Sequence, residues 1–358
     1  MADGYAVSVC CYYDADPVIV AEFEAAGASA ERLALDRSVS SPSSLRLARL
    51  GWLLCQYLRK IRPDIAHVQY MAPGLVPIMA ARLAGVRTIL ATVHQPGMVY
   101  GARARSLLRV ASRLCSAFFC VSRAVEESWF GDSAVFDPAD VGRRRHFTLY
   151  NCVDIERFTQ GASQADVRAT RSELGLGGRS VVGVVGRLRQ EKGHAVLLEA
   201  FSSVVRSIPD AALLVVGDGP DRGDLGARAQ ALGIGDRTVW VGERNPAELS
   251  RLYAAMDLVA VPSLFEGFGL VAVEAMAAGK PVVASATGGL MEIVVDGVTG
   301  TLVPAGNRAA LAEAIVSLLK DPAGAAAMGR DARRIAKERF SLEAFACTVS
   351  SVYWCYAV

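Results

Sequence analysis

Short apolar runs alternate with helical patterns along the whole chain, and this alternation limits the fold more than any other feature. In the first half YAVSVCCYY, DIAHVQY, RTILATVH and AFFCVS read as buried strands. In the second half SVVGVVG, AALLVVG, TVWVG, DLVAVPS, PVVAS and TGTLVP do the same. Between strands, residues 43–62 carry Leu47, Leu50, Leu54, Leu58 and Ile61 at helical spacing on one face. Residues 101–116 read as a second helix, and further helices start near Gly193 and at LVAVEAMAAG. Residues 307–320, 322–339 and 342–356 read as closing helices. Continuous apolar strands joined by helices are buried on both faces, so the expected class is α/β with parallel sheets.

A chain of 358 residues suits two domains. The expected division is a first domain over 1–155, a second over 156–340, and a C-terminal helix over 341–358 packing back on the first. The polar stretch 159–180, holding ADVRATRSELGL, reads as the linker. With 52% apolar and 21% charged residues, the chain has ample core. The longest uncharged stretch, 65–81, contains His67, Gln69 and two prolines and is too short to span a bilayer. The N-terminus lacks a basic region and a cleavage site. A cytoplasmic protein with at most peripheral membrane contact is expected. The eight cysteines form no CxxC pair, so a zinc site is not expected and the thiols read as reduced core residues.

Two segments carry chemistry. In residues 262–285, PSLFEGFGLVAVEAMAAGKPVVAS, a strand end meets a glycine-rich turn and then a helix. Free N–H groups at such a turn suit a phosphate, and glycine lets it approach closely. Glu266 would face the ligand beyond the phosphate, and Glu274 would accept hydrogen bonds from ribose hydroxyls. In residues 181–194, VVGVVGRLRQEKGH, Arg187 and Lys192 follow a strand end. A guanidinium fork and an ammonium suit a diphosphate leaving group, whose negative charge grows as its bond breaks. His194 reads as a capping or surface residue. His94 ends an apolar run before a Gln-Pro-Gly turn; function and a structural role are both open for it. His67 and His146 are assigned no function.

Together these segments resemble glycosyltransferase family 4, retaining enzymes of GT-B fold with two Rossmann-like doubly wound domains facing a central cleft. The resemblance runs from about Tyr5 to the C-terminus and rests on Arg187, Lys192 and the FEGFGL…E spacing of Glu266 and Glu274. DGP at 218–220, TGG at 287–289, DGVTGTLVP at 296–304 and NCVD at 151–154 also match, with Cys152 where the family has glycine. It implies that Arg187 and Lys192 bind donor phosphates and that Glu266 holds the donor sugar. Backbone at Phe268, Gly269 and Leu270 would hold sugar and phosphate, Glu274 would bind ribose, and His94 would face the reacting sugar. Gly186, Gly217 and Gly219 are assigned to the donor side. The partners implied are a nucleotide-sugar donor and a glycan, lipid-linked or small-molecule acceptor, with no cofactor, no metal and no nucleic acid.

Asp14-Ala15-Asp16 spells D-x-D, a metal signature of a different glycosyltransferase architecture, but a three-residue match is weak. Gly217, Gly219 and Gly223, with Glu243 ending the next strand, approach a dinucleotide fingerprint with a loop one residue too long. A dehydrogenase would leave Arg187, Lys192, Glu266 and Glu274 unexplained. The opening text resembles the family from its second strand onward, so the first βα unit with its acceptor-side loop is expected to be missing. A late start site, a partner chain or a rearranged domain would each account for that. The alternative function is therefore a nucleotide-sugar-binding protein with little or no turnover. Residues 37–123 hold 13 Lys/Arg and one acid, Asp64, for a net +12 against −10 elsewhere. Arg105, Arg109 and Arg113 recur every fourth residue on one helix face, which points to an anionic membrane or lipid-linked acceptor.

Overall fold

The computed structural model describes residues 4–13, 17–35, 44–70 and 75–357. Asp14 and Asp16 lie outside the described residues, as do Arg37 and Ser43. The chain divides into two compact units, 1–149 with 346–358, and 150–345.

The first unit runs β1 (Ser8–Tyr13), α1 (Pro17–Ala25), β2 (Ser29–Leu35), α2 (Ser44–Ile61), β3 (Ile65–Tyr70), α3 (Leu75–Leu83) and β4 (Thr88–Val93). It continues with α4 (Ala102–Leu114), β5 (Ala117–Cys120), α5 (Arg123–Phe130) and β6 (His146–Thr148). All pairings are parallel, in two sheets ordered β1-β2 and β3-β4-β5-β6. Among the described residues β1 pairs only with β2, and β3 only with β4. Strand β2, SAERLAL, carries Glu31 and Arg32 mid-strand and has no apolar run to announce it. Strand β6 is three residues long, too short to show a period.

Buried Glu126 on α5 holds the end of this sheet. It is fully buried, and its carboxylate accepts from Thr148 Oγ1 at 2.7 Å, the Ala134 N–H at 3.2 Å and Arg144 Nη2 at 3.3 Å. His146 Nδ1 lies 2.7 Å from the same carboxylate, and its ring stacks on Phe130 with centroids 4.1 Å apart. Helix α5 starts where Ser122 Oγ accepts from the Val125 N–H and ends at left-handed Gly131. Those two caps set the helix register that turns Glu126 inward.

The second unit runs α6 (Ile155–Gln164), α7 (Val167–Glu173), β7 (Ser180–Val185), α8 (His194–Ser207), β8 (Ala211–Val216), α9 (Arg222–Ala231), β9 (Thr238–Gly242) and α10 (Pro246–Ala255). It continues with β10 (Leu258–Val261), α11 (Leu270–Ala277), β11 (Val282–Ser285), α12 (Leu290–Ile293), β12 (Gly300–Val303), α13 (Arg308–Lys320) and α14 (Pro322–Phe340). Its six strands are parallel in the order β12-β11-β10-β7-β8-β9. This is a doubly wound sheet whose strand order reverses between β7 and β10, the point where such sheets bind ligands. Val182, Val184, Leu213, Val215, Phe201 and Ile315 meet in its core, all at most 2% exposed. Local signals stop and start the helices: Asn245 and Glu248 form a reciprocal capping box with Pro246 at the first helical position, and Asp321 caps α14 ahead of Pro322.

Residues 159–180, expected as a linker, are instead part of this unit. Asp154 of NCVD caps α6, and Phe158 packs edge-on against Tyr253 with centroids 5.8 Å apart. Thr159 Oγ1 donates to the Ala277 carbonyl at 3.0 Å. The stretch is polar because only one stripe of each short helix is buried. The last helix, α15 (Leu342–Tyr356), brings the chain back to the first unit from Ala346 onward. There the Tyr356 carbonyl accepts from Thr88 Oγ1 at 2.7 Å. Among the described residues no helix is long and apolar enough to cross a membrane.

Candidate functional site

The site of the second unit is assembled by close backbone approach at the switch point. The loop after β7 turns at Gly193, whose φ of 68° is left-handed; an added Cβ would strike the Pro262 carbonyl at the end of β10. The Leu264 N–H donates to the Glu191 carbonyl at 2.8 Å, so the two loops are tied together. That tie sets Lys192 against Glu266: the ammonium donates to Oε2 at 2.7 Å, and Ser263 Oγ donates to the same oxygen at 3.0 Å. Both members of the pair are largely covered, with side chains 31% and 14% exposed.

Beyond Glu266 the chain passes Phe268 and turns at Gly269, where φ is 114°, into α11. The Ala272 and Val273 N–H groups bond back to the Gly269 carbonyl, and those of Leu270 and Val271 precede the first bond within the helix. Phe268 is 4% exposed and its ring packs on Phe340 at 5.6 Å, so only its backbone is available to a ligand. Leu270 is exposed at the head of the helix. The TGG turn backs this loop, with the Gly289 N–H donating to the Glu266 carbonyl at 3.1 Å. Glu274, in the second turn of α11, accepts from the hydroxyl of fully buried Tyr253 at 2.8 Å. Burial pushes the Glu274 carboxyl up from its ordinary value, and the Tyr253 bond pulls it partly back.

Arg187 lies on the wall of a hollow of about 200 Å³ at the ends of β7, β8 and β9, with Gly186, Gly217, Asp218, Glu243 and Arg244. The Gly186 N–H donates to the Val216 carbonyl and the Leu188 N–H to the Asp218 carbonyl, both at 2.9 Å, which laces the two loops together. Gly219 sits against the Leu188 carbonyl, where a Cβ would not fit.

His194 departs from expectation. It is 4% exposed, neither a side-chain cap nor a surface residue. Burial pulls it down to about 4, so it is neutral near pH 7. Gly193 supplies the helix start instead, without a side-chain cap.

In the first unit His94 follows β4, half-buried, and its Nε2 lies 3.1 Å from Gln69 Oε1. Burial lowers its pKa from the ordinary histidine value. Among the described residues no group of three or more His, Cys, Asp or Glu side chains is placed to hold a metal ion.

Sequence reasoning missed Ser263, Tyr253, Asp218, Arg244 and Gln69. Ser263 had a signal, lying three residues before Glu266 in the same motif. Tyr253 had none, because it meets Glu274 from another helix.

Residues 1–157 match the sequence profile of Glycosyltransferase Family 4, and residues 166–335 that of glycosyl transferases group 1. A GDP-mannose-dependent alpha-(1-6)-phosphatidylinositol monomannoside mannosyltransferase of Mycolicibacterium smegmatis is 36% identical over 74% of this chain and 70% of its own length. The chain belongs to glycosyltransferase family 4. A second relative, the D-inositol 3-phosphate glycosyltransferase of Segniliparus rotundus, is 43% identical over 54% of this chain. The chain spans under half, 43%, of that relative's length. Among solved structures, Anabaena HepE in complex with UDP and glucose superposes with a TM-score of 0.80 at 27% identity. The match covers 97% of this chain and 91% of HepE. These relatives share the GT-B architecture, and the two parallel-sheet units found here are of that type.

Proposed function

We propose that this chain is a retaining glycosyltransferase that moves a sugar from a nucleotide-sugar donor, with the nucleoside diphosphate as leaving group. The observation that carries it is the Lys192–Glu266 pair, held at the switch point of the sheet beside the glycine-rich start of α11. A diphosphate at the Gly269 turn draws Lys192 toward itself, and the Glu266 carboxylate it leaves accepts a sugar hydroxyl. Arg187 adds a second cation, whose planar fork suits phosphate oxygens. Such charge grows more favourable as the sugar–phosphate bond breaks, so it acts on the transition state more than on the bound donor. Glu274, steadied by Tyr253, takes the ribose, and the hollow beside Arg187 takes the base. Among the described residues no carboxylate is assigned as a covalent nucleophile, and in this reading the leaving phosphate itself helps deprotonate the acceptor hydroxyl. His94 is assigned to the reacting sugar.

The cations take the place a divalent ion holds in other transferases. Transfer from GDP-mannose or UDP-glucose, the donors suggested by the Mycolicibacterium mannosyltransferase and by HepE, is therefore expected to survive EDTA. The assay supplies phosphatidylinositol, inositol phosphate or glucose as acceptor and follows the labelled sugar. Loss on chelation with rescue by manganese would overturn the metal-free reading. Donor binding without transfer to any acceptor would favour a binding protein.

The acceptor side is proposed to meet an anionic lipid surface. On α4, Arg103, Arg105, Arg109 and Arg113 are exposed, while Leu108 and Ala111 face the core. Leu107 and Val110 are 48% and 46% exposed among these arginines, and Met98 nearby is 73% exposed. Apolar side chains among cations suit the boundary between lipid headgroups and acyl chains. Arg109 also donates to the Trp129 carbonyl at 3.3 Å, which fixes its stem. Each cation near an anionic leaflet contributes about 1 kcal/mol, so three give salt-sensitive binding. Co-sedimentation with phosphatidylserine vesicles is expected at low salt, little with phosphatidylcholine, and none for the triple Arg→Glu variant at 105, 109 and 113. Equal binding to both vesicle types would sink the idea.

A further inference from the structure

His94 is held by side chains of the neighbouring strand. Strands β3 and β4 are parallel and in register, with Gln69 opposite Thr92 and His67 opposite Leu90. Side chains two apart share a sheet face, which puts His67 and Gln69 beside Thr92. Helix α15 covers this face: Tyr353 Oη lies 3.0 Å from His67 Nδ1, and the two rings meet edge-on at 5.9 Å. His67 Nε2 lies 2.7 Å from Thr92 Oγ1 and 3.4 Å from Gln69 Nε2. Gln69 Oε1 lies 3.1 Å from His94 Nε2.

The chemistry of these atoms assigns the protons. Burial takes His67 down to about 4, so near pH 7 its ring is neutral with a single N–H. With the Gln69 amide oxygen turned to His94, its nitrogen faces His67 at 3.4 Å, and a nitrogen that can only donate makes His67 Nε2 the lone-pair nitrogen. Thr92 donates to it as well, and His67 Nδ1–H donates to Tyr353. The amide oxygen of Gln69 can only accept, so His94 must present its N–H at Nε2. Its Nδ1 is then the lone-pair nitrogen.

We propose that Gln69 is a positioning residue for His94: braced by His67, which Thr92 and Tyr353 hold in turn, it fixes the His94 ring with the proton on Nε2 and Nδ1 as hydrogen-bond acceptor. Its importance for transfer rests on the assignment of His94 to the reacting sugar. The tautomer itself does not. A neutral imidazole left alone exchanges between two tautomers, and only one of them offers an acceptor to a substrate hydroxyl at Nδ1. Gln69 removes the other.

The test is nitrogen NMR of the four histidine rings in the full-length, ligand-free protein at pH 8. His94 is expected as a pure Nε2–H ring and His67 as the rarer Nδ1–H ring. In Gln69→Leu, which keeps size but loses both hydrogen bonds, His94 is expected to relax to a tautomer mixture. Gln69→Glu restores an acceptor, so Nε2–H returns. Its carboxylate also raises the His94 titration midpoint by about one unit. That carboxylate then faces His94 from β3, with the neutral His67 ring behind it and the neutral Tyr353 hydroxyl of α15 beyond. An Nδ1–H His94 in the wild type would mean the reversed amide and overturn the proposal, as would an unchanged His94 spectrum in Gln69→Leu. Transfer from GDP-mannose or UDP-glucose is expected to fall about tenfold in kcat for Gln69→Leu, with donor KM held. Wild-type transfer by His94→Ala would instead overturn the assignment of His94 while the tautomer result stands.

Discussion

Lys192→Ala is expected to lower transfer by about 100-fold with a melting temperature close to that of the parent. In the proposed function its ammonium neutralises the departing diphosphate, and removing one such group costs about 3 kcal/mol of barrier. Stability changes little because partly exposed ion pairs contribute at most about 1 kcal/mol, and the Lys192 side chain is 31% exposed. The loss should appear in kcat more than in donor KM, because the charge it meets develops as the bond breaks. Glu266→Ala is expected to lose at least about tenfold, and in that variant Lys192 has no carboxylate to release. Ser263 then loses its acceptor too, so Glu266→Gln is the better control for shape. Wild-type turnover in Lys192→Ala, measured with a donor that supports transfer by the parent, would remove this pair from the site.

Glu126→Ala is expected to destabilise the first unit by about 3–5 kcal/mol, measured by urea denaturation followed through Trp129 fluorescence. The carboxylate is fully buried and accepts from Thr148, Arg144 and the Ala134 N–H. Removing it leaves Thr148 and the Ala134 N–H without that acceptor and opens a cavity, while Arg144 keeps Asp132 at 2.8 Å. His146, 2.7 Å away, loses the partner that orients its ring against Phe130. Glu126→Gln keeps the volume and one acceptor oxygen, and a loss of roughly half as much is expected. A loss under about 1 kcal/mol for Glu126→Ala would mean that water replaces the carboxylate without penalty. Donor binding by the second unit should persist in either variant, since none of these residues belongs to it.

The sequence by itself determined the class of fold and most of the second unit. Strands such as AALLVV and VVAS are apolar throughout because both faces of a parallel sheet are covered, and that leaves a mark in local composition. The placing of Arg187, Lys192, Glu266 and the Gly269 turn just after strand ends was legible because each follows an apolar strand directly in sequence. Strand β2 was not legible: its apolar residues are interrupted by charges. The supposed linker was misread because two short helices with narrow buried stripes look polar in one dimension. Only the tertiary structure decided which groups meet. Lys192 and Glu266 are 74 residues apart, Tyr253 and Glu274 are 21, and Gln69 and His94 are 25. Each pair is joined by sheet order, register or a close backbone approach, and those depend on long-range packing that no local period encodes. His67 shows the limit most clearly: within its strand it is one polar residue in an apolar run, and its partner Tyr353 arrives 286 residues later on the last helix.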